Sequence, residues 1–173
     1  MVLTFPCSLL FLSLEMGLGK TVQCVSLFEH LRRVEHISGP FLVVVPLGTI
    51  SHWKREFESW TDMNCLVYHD AVRGKETRRL IRETEIYYQG TKQIKFNVLI
   101  TTYEVLIGDV EELSAVNWMQ VIVDEGHRIK NKSSKILEAL QLLSQCRARE
   151  EGAATFSGRI LTASLLLCCL FVL

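Results

Sequence analysis

The sequence predicts an α/β fold built on a mostly parallel sheet, and three observations predict it. The short apolar runs 41–45, 98–100 and 121–123 are unbroken rather than alternating, as expected of strands covered on both faces. Segments with apolar residues three or four apart lie around and between them. The glycines, carboxylates and threonines best suited to chemistry directly follow apolar segments, and in open parallel sheets ligands bind beyond the carboxyl ends of the strands.

In chain order, residues 2–14 are largely apolar, and as a helix they would span about 20 Å against about 30 Å of bilayer core. A signal peptide is the rival reading, although no Lys or Arg precedes the run and Pro6 interrupts it. A helix is expected over 21–35, with Val25, Phe28 and Leu31 on one side. The strand 41–45 follows, then a helix over 51–60 with Trp53, Phe57 and Trp60 as core residues. Residues 65–68 make a weaker strand candidate. The basic stretch 73–95, with Arg73, Lys75, Arg78, Arg79, Arg82, Lys92 and Lys95, reads either as a solvated helix face or as a DNA-facing stripe. The strands 98–100 and 121–123 come next. A helix over 132–145 is marked by Ile136, Leu140 and Leu143, with Ser133 or Ser134 as N-cap. Residues 147–158 read as a loop, and 160–173 as a second apolar segment too short to span a bilayer.

Composition narrows the function classes. The 173 residues are 49% hydrophobic and 22% charged, which excludes a disordered chain and allows one core. Nineteen basic and nineteen acidic residues cancel, so any nucleic-acid or membrane contact must come from a local patch. The six cysteines match neither zinc spacing nor a small disulfide framework and read as reduced thiols. His30, His36, His52 and His69 show no ligand spacing and read as surface or satisfied polar positions.

Two segments carry chemistry. Glu15-Met16-Gly17-Leu18-Gly19-Lys20-Thr21 opens the first helix. Its glycines let backbone N–H groups converge on an anion, and the helix N-terminus adds partial positive charge. Lys20 can reach terminal phosphates, and the Thr21 hydroxyl can join the shell of a magnesium ion. The bland alternative is a glycine turn before a helix with a surface lysine. The second segment, Asp124-Glu125-Gly126-His127, ends the strand 121–123. Asp124 can hold magnesium, Glu125 can act as general base toward water, and His127 can link the site to a neighbouring element. Here the alternative is a solvated turn. A phosphate loop and a metal-binding carboxylate on one α/β sheet favour nucleotide chemistry over both alternatives.

These segments resemble the motor of helicase superfamily two, specifically the Swi/Snf-type chromatin-remodelling ATPases. Glu15 to Thr21 is similar to the family's first motif, and Asp124-Glu125-Gly126-His127-Arg128-Ile129-Lys130-Asn131 to its acidic box. Val44-Val45-Pro46-Leu47, with Trp53 and Glu56-Phe57, and Leu99-Ile100-Thr101-Thr102-Tyr103-Glu104 are similar to the motifs between. Gly39-Pro40-Phe41, the Trp53/Trp60 region and Lys95-Phe96-Asn97-Val98 most resemble the chromodomain-helicase branch. The resemblance implies a RecA-like three-layer sandwich over 15–145, incomplete at its C-terminal end, flanked by non-family segments at 1–14 and 146–173. It further implies that Gly17, Leu18, Gly19, Lys20 and Thr21 bind ATP, and that Thr21 and Asp124 hold Mg2+. Catalysis would rest on Glu125, Asp124 and Lys20. Pro46, Thr49, Thr101 and Thr102 would lie near the DNA backbone, and His127 would couple the two sites. DNA, nucleosomes and a second RecA-like lobe are the implied partners, in the nucleus and with no membrane.

The sequence also departs from the family pattern. Leu14 stands where the family has Asp, the upstream adenine-contacting glutamine segment is missing, and Arg159-Ile160-Leu161-Thr162-Ala163-Ser164 is at most a broken remnant of a later motif. The chain resembles a fragment, lacking the second lobe with its arginine fingers. It is therefore expected to hydrolyse ATP poorly alone, or to persist as an inactive nucleotide- or DNA-binding remnant. A secreted or membrane-associated protein using its apolar ends is the third reading.

Overall fold

The computed structural model describes residues 19–69, 74–88, 90–91, 93–124, 135–136 and 138–143. The apolar end segments and the 147–158 loop lie outside them. Four strands form one parallel sheet in the order β2-β3-β1-β4: β1 is Phe41–Val44, β2 Cys65–Tyr68, β3 Val98–Thr101 and β4 Gln120–Val123. The pairing is parallel throughout, and the register is flush. Val44 is paired with both Thr101 and Val123, and Thr101 with Tyr68, so all four strands end in one row.

The period-two geometry of a strand explains why the apolar runs are unbroken. Phe41, Val43, Val45, Val98, Ile100 and Ile122 face one core, shared with α1 (Lys20–Arg33) and α2 (Ile50–Trp60). Leu42, Val44, Leu99, Val121 and Val123 face the other. That second core is closed by α4 (Tyr103–Gly108), α5 (Val110–Ser114), Ile86, Trp118 and the helical residues at 135–136 and 138–143. Both faces are therefore covered, which makes three layers.

In the first core Phe28 stacks on Phe41 with ring centroids 4.3 Å apart, and the Phe57 ring lies 6.0 Å from that of Phe28. In the second, the Trp118 indole donates to the Leu113 carbonyl at 2.7 Å, so its polar edge is satisfied within the apolar layer. Trp60 departs from expectation. It shares the helical spacing of Trp53 and Phe57, yet it is 62% exposed and donates to Glu56 on its own helix. It is the last residue of α2, and no described residue covers it there.

The basic stretch contains a helix, α3 (Lys75–Ile81), that runs into a π-type turn at Arg82–Ile86. Arg79 is exposed and paired with Glu83, as a solvated face requires. Arg78 is not on that face: it is buried.

Gly39 enters β1 with φ 101, a conformation that L side chains rarely adopt. A Cβ there would lie 2.5 Å from the Asn97 carbonyl oxygen, which is held by the Phe41 N–H at 2.8 Å. Gly39→Ala is expected to destabilise the fold by about 1–3 kcal/mol. The urea midpoint checks this, and an unchanged midpoint would contradict the close approach.

Candidate functional site

The flush register gathers the site elements at one edge of the sheet. Immediately beyond the paired rows lie His69, Thr102, Val45 and Asp124. Two further backbone bonds extend the ladder past the strands: Val45 N–H to the Thr101 carbonyl and Asp124 N–H to the Val44 carbonyl, each 2.9 Å.

The first turn of α1 approaches the same edge. The chain leaving α1 returns directly to the start of β1, and Phe28 stacks on Phe41 at the amino end of that strand. From Phe28 back to Lys20 the helix rises about 12 Å, and Phe41 to Val45 spans about 13 Å. Lys20 and Thr21 are therefore level with the carboxyl ends of the strands. They share a face with Trp53 and Ile122, because Cys24 and Val25 of the next turn pack in that core. Gly19 caps the helix in the left-handed conformation, φ 73 and ψ 31. No described side chain caps this terminus, and the first turn holds no acidic residue. Both features suit an anion there. Lys20 and Thr21 are half-buried.

Asp124 is held from three directions. Its N–H bonds to Val44, its carbonyl accepts the Tyr103 hydroxyl, and its Oδ2 accepts the Trp53 indole N–H at 2.9 Å. The donor set fits magnesium, a hard cation that takes one or two carboxylates and completes its shell with phosphate and water. Thr21 supplies a hydroxyl and Asp124 a carboxylate. Among the described residues no three His, Cys, Asp or Glu converge as a metal cluster.

After β1, Pro46 leads into a 3-10 turn, Leu47–Thr49, closed by the Thr49 N–H and hydroxyl on the Pro46 carbonyl at 3.0 and 2.9 Å. The turn opens α2, and its Leu47 and Gly48 are exposed. Thr101 and Thr102 are placed differently. Both are buried, the Thr101 hydroxyl donates to the Tyr68 carbonyl at 2.8 Å, and the Thr102 hydroxyl accepts from Val105 N–H as the N-cap of α4. In this conformation they hold the edge together, while the 46–49 turn presents surface.

At the β2 end of this edge lies a buried ionic knot. Arg78 grips Asp109 with two bonds, Nε to Oδ2 at 2.7 Å and an NH2 nitrogen to Oδ1 at 3.2 Å. The Tyr68 hydroxyl donates to the same Oδ2 at 2.8 Å, and Arg82 reaches Asp109 at 3.3 Å. Burial pushes the Tyr68 phenol up to about 12, reinforced by its bond to Asp109. Burial alone would raise the Asp109 carboxyl, but the Arg78 guanidinium and the Tyr68 hydroxyl outweigh it and hold the group below its ordinary value. Burial also pushes the Cys65 thiol up to about 12, so this free cysteine stays protonated and is no nucleophile at neutral pH.

Of the sequence-derived site residues, the structure brings Lys20, Thr21, Asp124, Pro46, Thr49, Thr101 and Thr102 to one edge. Gly17, Leu18, Glu125 and His127 lie outside the described residues. Sequence reasoning missed Trp53 and Tyr103 as partners of Asp124, and it missed the Asp109 knot. It also placed His69 among exposed or satisfied histidines. Both ring nitrogens of His69 are buried and have no hydrogen-bond partner among the described residues. No described helix is long and apolar enough to cross a membrane.

Comparison with known proteins agrees with the fold. The model of the SNF2-related domain matches residues 7–148. Chromodomain-helicase-DNA-binding protein 9 of Mus musculus is 43% identical over 137 residues, which cover 75% of this chain and 5% of that protein. Chromodomain-helicase-DNA-binding protein 8 of Xenopus tropicalis is 44% identical over 133 residues, covering 73% and 6%. The solved SWI2/SNF2 ATPase core of Sulfolobus solfataricus, in complex with double-stranded DNA, superposes with a TM-score of 0.58 at 28% identity, covering 74% of this chain and 24% of that one. This likeness makes the three-layer sheet RecA-like. The chain spans 5% of the length of the curated relative named first.

Proposed function

Because the chain belongs to the SNF2-related domain family, we propose that it is the ATP-binding lobe of a DNA-dependent ATPase that remodels chromatin. The observation that carries this reading is that two distant segments share one face and one level of the sheet. The first turn of α1, with Lys20 and Thr21, lies on the same face and at the same level as Asp124.

In this reading, backbone N–H groups of Gly17, Leu18 and Gly19 cradle the phosphates, and Lys20 bears on the terminal ones. Thr21 and Asp124 hold Mg2+, which supplies charge neutralisation on the phosphates. Glu125 orients the attacking water and takes its proton. The 46–49 turn meets the DNA backbone, Thr101 and Thr102 lie behind the same edge of the sheet, and His127 links the two regions. Phosphate contacts of this kind position a protein on DNA without reading sequence. Support for the DNA partner comes from the solved neighbour, a core in complex with double-stranded DNA, and from relatives whose names include DNA binding. In the same reading nucleosomes are the larger partner and the nucleus is the location, and the chromodomain-helicase names of the relatives support both.

Charge in such a transition state is met from both sides of the nucleotide, and an arginine finger contributes about 10³–10⁵ in rate. We therefore expect the chain alone to bind Mg-ATP with little turnover. Adding the second lobe of a family motor, with DNA, should restore phosphate release. Binding without restored release would favour a nucleotide-binding remnant, and no binding at all would sink the proposal.

A further inference from the structure

We propose that Trp53 is the positioning residue for the carboxylate of Asp124, and that it ties that carboxylate to the 46–49 turn. The inference rests on the reading of Asp124 as a magnesium ligand. Trp53 is 1% exposed, and its indole N–H, which can only donate, bonds to Asp124 Oδ2 at 2.9 Å. The two residues are 71 positions apart and belong to different layers. The backbone of Asp124 is already fixed by Val44 and Tyr103, so the remaining freedom is that of its side chain. The indole restrains it by anchoring one oxygen. Groups that anchor a metal ligand from behind in this way commonly govern affinity for the metal.

The anchor stands on a particular support. Trp53 lies one helical turn beyond Thr49, which closes the exposed turn after Pro46, and buried Ile50 and Phe57 fix the helix between and beyond. A displacement of the 46–49 turn therefore reaches the Asp124 carboxylate through one rigid turn of α2 and one hydrogen bond. If DNA seats on that turn, Trp53 is the mechanical link between DNA engagement and the metal.

The other two indoles are built-in controls, because Trp60 donates to Glu56 and Trp118 to Leu113. In the full chain bound to ATP, adding Mg2+ should shift the Trp53 indole N–H resonance and leave that of Trp118 in place. A Trp53 signal that stays still would overturn the proposal without reference to any variant. Two substitutions then separate positioning from packing. Trp53→Phe keeps a ring and removes the donor, whereas Trp53→His keeps a five-membered ring with a nitrogen at the corresponding place and loses bulk. With a fluorescent ATP analogue, Trp53→Phe should raise the half-saturating Mg2+ concentration about 10–100-fold and leave binding in EDTA unchanged. Trp53→His should melt lower than Trp53→Phe yet need less Mg2+. Magnesium dependence that merely follows melting temperature would defeat the positioning role. Wild-type chain whose nucleotide binding ignores Mg2+ altogether would defeat the assignment of Asp124 as ligand, and the proposal with it.

Discussion

Lys20→Ala is expected to erase the rise in melting temperature that Mg-ATP gives the full chain. At a thousandfold excess over Kd, a ligand bound only by the folded state adds ~4.1 kcal/mol, which for a chain of this size is a rise of roughly 8–16 °C. Lys20 is the first residue of α1, outside both core clusters. Alanine is also the best helix former, so the ligand-free melting temperature should not fall. The two melts together are the check. A variant that keeps the full ligand-induced rise would show that the first turn of α1 does not hold the phosphates. A variant that melts early without ligand would show that Lys20 supports the fold itself.

Asp109→Asn should cost more in stability than any surface change. It leaves the buried Arg78 guanidinium without its counter-charge, and breaking such a pair from one side costs about 3–5 kcal/mol. For this chain length that is a drop of roughly 6–20 °C in melting temperature. The side chains of Arg78 and Asp109 are 10% and 5% exposed, so water cannot stand in for the lost partner. Replacing both residues together with apolar ones of similar volume should cost far less. The pH dependence has a definite sign. The Asp109 carboxyl sits below its ordinary value of 3.8, so its contribution is present above that value and is lost as the pH falls through the lower folded value. Wild type should accordingly lose stability in this acid range, and Asp109→Asn should lack that limb. Equal acid profiles would show that Asp109 is not the group responsible.

Much of the fold was legible because burial on both faces leaves a plain trace: Phe41 to Val45 is apolar without a break, and the structure seats alternate residues in two cores. Periodicity does not tell where a covering layer ends, so Trp60 shared the stripe of Trp53 and Phe57 and still emerged at the surface. The helices α4 and α5 are six and five residues long, too short for a helical period to declare itself, and Gly108 and Asp109 interrupt the apolar pattern between them. Arg78 was hidden by its neighbours: in a run of charges nothing marks the one that turns inward to meet Asp109, 31 positions away. Asp124 could be found because a carboxylate at the end of an apolar strand is a local pattern. Trp53 as its partner could not, since no spacing links residues brought together only by the crossing of α2 over the sheet.

The flush ends of the strands carry an electrostatic consequence. Tyr68 and Val123 stand at opposite ends of one row, three strand spacings or about 14 Å apart, with Asp124 next beyond Val123. At that distance a compact, neutral ion pair projects far less field than a lone charge would. The charges of Arg78 and Asp109 largely cancel one another. Replacing both members of that pair together should therefore alter how firmly the domain folds while leaving the field at the acidic residue of β4 as it was.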